Sequence, residues 1–155
     1  MTLVPQPLTA AAFAPFGDVV ETPGLGRVYF DQTLTNRRLS AKPSVSIARM
    51  APSPVPFSLL RMERHEFSTQ TFAPMEVGRW LVVAAPHAPG GGPDMAKAKA
   101  FLPQPGQAIT YAVDVWHAPM SVFDCEGLFA IFMWNDGTAT DTEFFELPAP
   151  VGVLL

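Results

Sequence analysis

Prolines constrain this chain more than any other feature. Seventeen of its 155 residues are proline, spread from Pro5 to Pro150. Each lacks an N–H and drives its ring into the preceding turn, so a helix of three turns finds almost no uninterrupted stretch. The clearest helical signal is short: Thr9 can cap Ala10–Phe16, with Pro15 limiting its length and Gly17 ending it. A second helical turn is expected at Asp94–Lys99. Extended runs bounded by Pro and Gly fill much of the rest: Arg27–Asp31, Ser44–Ala51, Val55–Arg64, Trp80–Ala85, Ala108–Val113, Met120–Phe123 and Gly127–Asn135. No connection between them is long enough for a crossover helix, which predicts an all-β sandwich or barrel.

At this length one core suffices. Residues 1–155 read as a single domain, because neither side of the Pro86–Pro93 loop would carry a full core alone. Hydrophobic residues make up 48% of the chain, yet no apolar run reaches the ~18 residues of a membrane helix. Charged residues are 15%, against about 25% in typical soluble domains. Apolar surface is therefore expected on a monomer, and a homodimer would cover it. The net charge of −4, without any Lys/Arg run, speaks against nucleic acid. An anionic substrate must then be held by individual arginines rather than by a general field. Cys125 is alone, so no internal disulfide can form. The N-terminal stretch has no basic flank and is interrupted by Pro5, Pro7 and Pro15, which argues against a secretory signal and for a cytoplasmic protein.

Two familiar signatures fail. Gly90, Gly91 and Gly92 lack the Lys-Ser/Thr of a phosphate loop, and neither Ser68 nor Ser121 sits in a Gly-x-Ser-x-Gly elbow. The informative segments are Met62–Met75 and Gly106–Pro119. Glu63 and His65 lie two apart on an expected strand, so both point to one face. With His117 they form a two-histidine, one-carboxylate set that can hold a divalent transition metal with open positions. Gln70 is a poorer ligand than a carboxylate, but its amide both donates and accepts, which suits a ureido group. No organic cofactor is indicated.

Together these segments resemble the two cupin motifs. Gly106 and His117 hold the spacing of the second motif, with Ala112 and Asp114 in place of its Pro and Gly; Glu63, His65 and Gln70 fall on the ligand positions of the first. The pattern Glu-Arg-His, then Thr-Gln-x-Phe-x-Pro-Met, then Val-Trp-His-x-Pro, is similar to the ureidoglycolate lyase family in particular. Phe13–Thr22, Ser46–Arg49 and Pro93–Phe101 agree in order, whereas Met133–Gly137 replaces an Asp-Arg-Gly type of segment. The resemblance implies a cupin-like double-stranded β-helix barrel with short helical additions. It also implies a homodimer acting in allantoin breakdown, cleaving the carbon–nitrogen bond of (S)-ureidoglycolate to glyoxylate and urea. A divalent metal, usually nickel, is implied too.

That substrate carries a hydroxyl, a carboxylate and a ureido nitrogen on one carbon. Glu63 is the first candidate for the base, its pKa expected to rise by desolvation, or else a metal ligand with His65 and His117. Arg49 and Arg64 could grip the carboxylate; Arg49 is preferred because Arg64 points away from Glu63 and His65. Gln70, Tyr111 and Trp116 are further substrate-binding candidates. The same three ligands would also serve another metal-dependent cupin enzyme, an isomerase or dioxygenase, and a non-catalytic binder of small molecules could share the barrel.

Overall fold

A computed structural model describes residues 1–21 and 23–155; Thr22, the last residue of the Phe13–Thr22 segment, lies outside the described residues. In chain order the strands begin with β1 (Thr2–Leu3) and β2 (Gln6–Pro7), followed by helix α1 (Ala10–Phe13) and β3 (Gly17–Glu21). Then come β4 (Lys42–Met50), β5 (Phe57–Arg64), β6 (Gln70–Glu76), β7 (Trp80–Ala85), β8 (Lys99–Leu102) and β9 (Gln107–Tyr111). The chain closes with β10 (Trp116–His117), β11 (Ser121–Val122), β12 (Gly127–Asn135) and β13 (Glu143–Val153). The fold is all-β and cupin-like. One sheet runs β1-β13-β5-β10-β7-β8-β2, with β11 also on β7, and the other runs β3-β9-β6-β12-β4.

Helix α1 is shorter than the expected Ala10–Phe16. The Thr9 hydroxyl accepts from the Ala12 amide at 3.2 Å, but Pro15 has no N–H to continue the ladder. At Asp94–Lys99 only a 3-10 turn forms, over Met95–Lys97. Arg27–Asp31 is not a strand; the chain makes a 3-10 turn at Asp31–Thr33 instead. Its β-forming side chains find no adjacent strand among the described residues, and a strand exists only by pairing. Conversely β13 reaches eleven residues despite Pro148 and Pro150. Its register against β5 breaks between Glu146 and Val151, which puts both prolines in a bulge where no ladder bond is required.

Strand β7 shows how the core is divided. Trp80, Val82 and Ala84 face inward, with Phe72, Ile109, Tyr111 and Phe129 of the opposite sheet. Leu81, Val83 and Ala85 face outward into a second core with Met62, Trp116 and Phe123. Burial on both faces explains why this strand reads as a continuous apolar run rather than an alternation. Two backbone positions adjoin site residues, Gly17 paired with Tyr111 and Asp114 donating its N–H to the His65 carbonyl. Gly17 has φ +147°, and a Cβ there would lie 1.9 Å from the Thr110 carbonyl oxygen, so a side chain is excluded. Asp114, standing where the cupin motif has glycine, takes φ +70°, a left-handed conformation that aspartate tolerates better than most residues.

Candidate active site

The site is built on one cross-strand row. Phe144 of β13 pairs with Glu63 of β5, Glu63 with His117 of β10, and His117 with Ala84 of β7, so these side chains share the inner face of the larger sheet. His65 follows β5 by one residue and is carried to the same side. Its ring lies 5.5 Å from that of His117, centroid to centroid. From the other sheet come Gln70, whose Oε1 is 3.1 Å from His117 Nε2, and Tyr111, stacked on the His117 ring at 4.1 Å and 14°. Of the sequence candidates, the structure thus brings together Glu63, His65, His117, Gln70 and Tyr111.

Both histidines are anchored through Nδ1. His65 Nδ1–H donates to the Asp141 carbonyl at 2.9 Å, and His117 Nδ1–H to the Val115 carbonyl at 3.0 Å. Those bonds place both Nε2 lone pairs in the interior. His65 Nε2 is buried without a hydrogen-bond partner, and His117 Nε2 faces Glu63 Oε1 at 3.5 Å. One ligand atom from each of Glu63, His65 and His117 lies within 4.8 Å of the others. The unpartnered, buried Nε2 of His65 converging with His117 Nε2 and the half-buried Glu63 carboxylate is an arrangement that a cation relieves. Carbonyl-anchored imidazoles are also how ligating histidines are commonly oriented. These residues therefore fit a divalent transition metal.

Burial pushes the Glu63 carboxyl up, but the adjoining His117, with His65 and Arg61, outweighs it and holds the group below its ordinary value. The expected upward shift does not occur, because the carboxylate faces imidazoles and a guanidinium rather than hydrocarbon alone. Burial, then the neighbouring His117, lowers the pKa of His65 and keeps it neutral, as a ligand must be. Burial and the Glu63 charge raise that of Tyr111, so it remains a phenol.

Two candidates lie elsewhere. Ala48 pairs with the buried Phe129, so its neighbour Arg49 points to the outer side of β4, where it is well exposed and bound to Glu126 at 3.2 Å. The structure does not bring Arg49 to the cluster. Trp116 precedes His117 in β10 and therefore points away from it, into the second core, where Arg64 lies over its ring at 5.0 Å. Arg64 is itself paired with Asp114 and Glu143 on that outer side.

Residues that sequence reasoning missed support His65. Asp141 is buried, accepts from Arg38, and takes the Asp136 amide at 2.9 Å on its carboxylate. The 3-10 turn at Ala139–Asp141 thereby holds the carbonyl beneath His65. Position could not reveal this, since Asp141 and His65 are 76 residues apart. Arg61 and Phe144, flanking Glu63, were also missed; the two-residue period of β5 was the available signal for Arg61.

A β barrel with two imidazoles and a carboxylate meeting on its inner wall is a cupin-type protein with a site able to hold a metal. A dTDP sugar isomerase from Desulfovibrio desulfuricans G20 shares the fold, with TM-score 0.53 and 16% identity over 86% of this chain and 82% of its own. Over residues 1–153 the chain matches the ureidoglycolate lyase family, and it belongs to that family. It is similar to the ureidoglycolate lyase of Pseudomonas syringae pv. tomato, at 34% identity over 94% of this chain and 91% of that one. Similarity to the ureidoglycolate lyase of Schizosaccharomyces pombe is also 34%, over 88% and 86%.

Proposed function

We propose that this chain is a ureidoglycolate lyase whose chemistry takes place at Glu63, His65 and His117. The observation that carries the reading is the convergence of two buried imidazoles and a half-buried carboxylate, in a chain of this family, on an inner wall that also presents an amide and a phenol. The reaction releases glyoxylate and urea: the hydroxyl O–H breaks, a carbonyl forms on that carbon, and the carbon–nitrogen pair leaves with nitrogen. The proton lost from the hydroxyl is the one the departing nitrogen needs. A single carboxylate can take and return it, so Glu63 is assigned as the base.

Gln70 is suited to the ureido group, accepting from N–H and donating to C=O. Tyr111 packs flat against His117 and limits the angles that imidazole can take. If Glu63 instead acts as a ligand, a divalent cation held by Glu63, His65 and His117 would supply Lewis-acid polarisation of the substrate oxygen and lower the hydroxyl pKa. Nickel is the metal that family likeness suggests.

Family likeness also supports a cytoplasmic enzyme of allantoin breakdown and a homodimer. No helix among the described residues is long and apolar enough to cross a membrane. Val45, Ile47 and Phe132 stay exposed on the outer side of β4 and β12, an apolar surface that a second copy would cover. Light scattering showing a monomer at micromolar concentration would remove the dimer.

The deciding experiment is incubation of the purified protein with ureidoglycolate, with and without a chelator, assaying glyoxylate and urea. Equimolar appearance of the two supports the lyase. Conversion to a single product that keeps every substrate atom, or conversion that consumes oxygen, would give the site to an isomerase or dioxygenase. Binding without turnover would leave a non-catalytic cupin.

A further inference from the structure

We infer that Arg61 holds the substrate's carboxylate, an inference that rests on the lyase reading and names the specificity-determining residue of its site. The substrate is an anion approaching a wall that already bears the Glu63 carboxylate, so a cation must stand beside Glu63. The strands of the larger sheet carry three: Arg61, Arg64 and Lys99. Arg64 is on the outer face and held by two carboxylates. Lys99 pairs with Ala84, so it lies beyond His117 on the side away from Glu63.

Arg61 is two residues before Glu63 in β5, and between them the register against β13 is regular, so both share the inner face. Its guanidinium lies over the Phe144 ring at 5.0 Å, and Phe144 is the cross-strand partner of Glu63. Its cross-strand partner on β13 is Glu146, yet among the described residues no ion pair ties up its guanidinium. Its positive charge is felt at Glu63. Stacking occupies the face of the guanidinium and leaves its edge free, and the edge carries the N–H donors that grip a carboxylate bidentately. The stack also limits the rotamer freedom that a long exposed side chain would otherwise lose on binding.

The test compares wild type, Arg61→Ala, Arg61→Lys and Lys99→Ala on ureidoglycolate and on its neutral carboxamide analogue. Arg61 is exposed, so the variants should keep the wild-type melting temperature. Loss of a charge-assisted contact should raise KM for ureidoglycolate about 10- to 100-fold in Arg61→Ala, with kcat little changed. Arg61→Lys should recover part of this, and the carboxamide should not distinguish Arg61→Ala from wild type. Calorimetric binding of glyoxylate should weaken in parallel, a readout that needs no turnover. Unchanged KM and glyoxylate affinity in Arg61→Ala would overturn the assignment. So would an equal loss with the carboxamide, or an effect confined to Lys99→Ala. Failure of wild type to release glyoxylate and urea would instead remove the lyase reading, and glyoxylate binding would still decide whether Arg61 is an anion site.

Discussion

The two faces of the β5–β10 ladder carry comparable numbers of polar groups and use them in opposite ways. On the outer face Arg64 is met by Asp114 and Glu143, donates to His87 Nδ1 at 2.9 Å, and lies over Trp116, whose indole N–H also donates to His87 at 3.0 Å. Donors and acceptors are matched there. On the inner face, one residue away along each strand, Glu63 and His117 join His65, whose buried Nε2 has no partner, in a set of ligand atoms. The matched face is finished by folding, whereas the mismatched one is completed only by something that binds. Burial alone does not separate the two, since Trp116 and His117 are both fully buried; the balance of donors and acceptors does.

The largest effect expected from breaking this contrast is at Glu63. Glu63→Gln keeps the shape and loses the basicity, and should lower kcat by about 10²–10⁴ with little change in substrate binding. If the carboxylate acts mainly as a ligand, metal content measured by atomic absorption should fall with activity, and excess metal should restore part of the rate. Near wild-type turnover would take Glu63 out of the site.

On the outer face the expectation is reversed. Trp116→Ala removes a buried indole and should cost about 3–5 kcal/mol in denaturant unfolding, while kcat per folded molecule stays near wild type. A selective loss of kcat at unchanged stability would show that the faces are not separable. Arg38→Ala sharpens the comparison from a distance. It frees the Asp141 turn whose carbonyl orients His65 and strips two largely buried carboxylates of their cation, so it should lower the melting temperature and, in the protein that remains folded, weaken metal affinity by about 10- to 100-fold. An unaltered affinity would mean that His65 needs no such support.

The smallest expected effect is on pH dependence. The folded-state pKa of His65 is lowered from the ordinary 6.5. The unfolded chain therefore binds more protons below that value, and metal-free stability should decline as pH falls through about 6.5. It should level off once pH is below the lowered folded value. Glu63, also lowered from its ordinary 4.5, adds stability present above that pH and lost as its folded pKa is passed on further acidification. His65→Gln should flatten the first decline in metal-free thermal melts; an identical profile would assign it to another group.

Sequence alone determined the fold class, because prolines throughout the chain exclude long helices by removing N–H groups that every helix needs. It also determined that Glu63 and His65 face the same way, since alternation along a strand is a local property. The same alternation already separated Trp116 from His117 and placed Arg61 with Glu63, and both were legible without coordinates. Which arginine stands near the triad was not legible from motif position. Arg49 belongs to a family-like segment, yet its direction depends on Ala48 being the residue opposite Phe129. Only the tertiary structure decided that, because register is set by which faces two distant strands bury together. It likewise decided that Asp141 supports His65 and that Glu63 remains ionised. A pKa and a hydrogen-bond partner depend on distances between groups far apart in the chain, and those distances exist only once the barrel has closed.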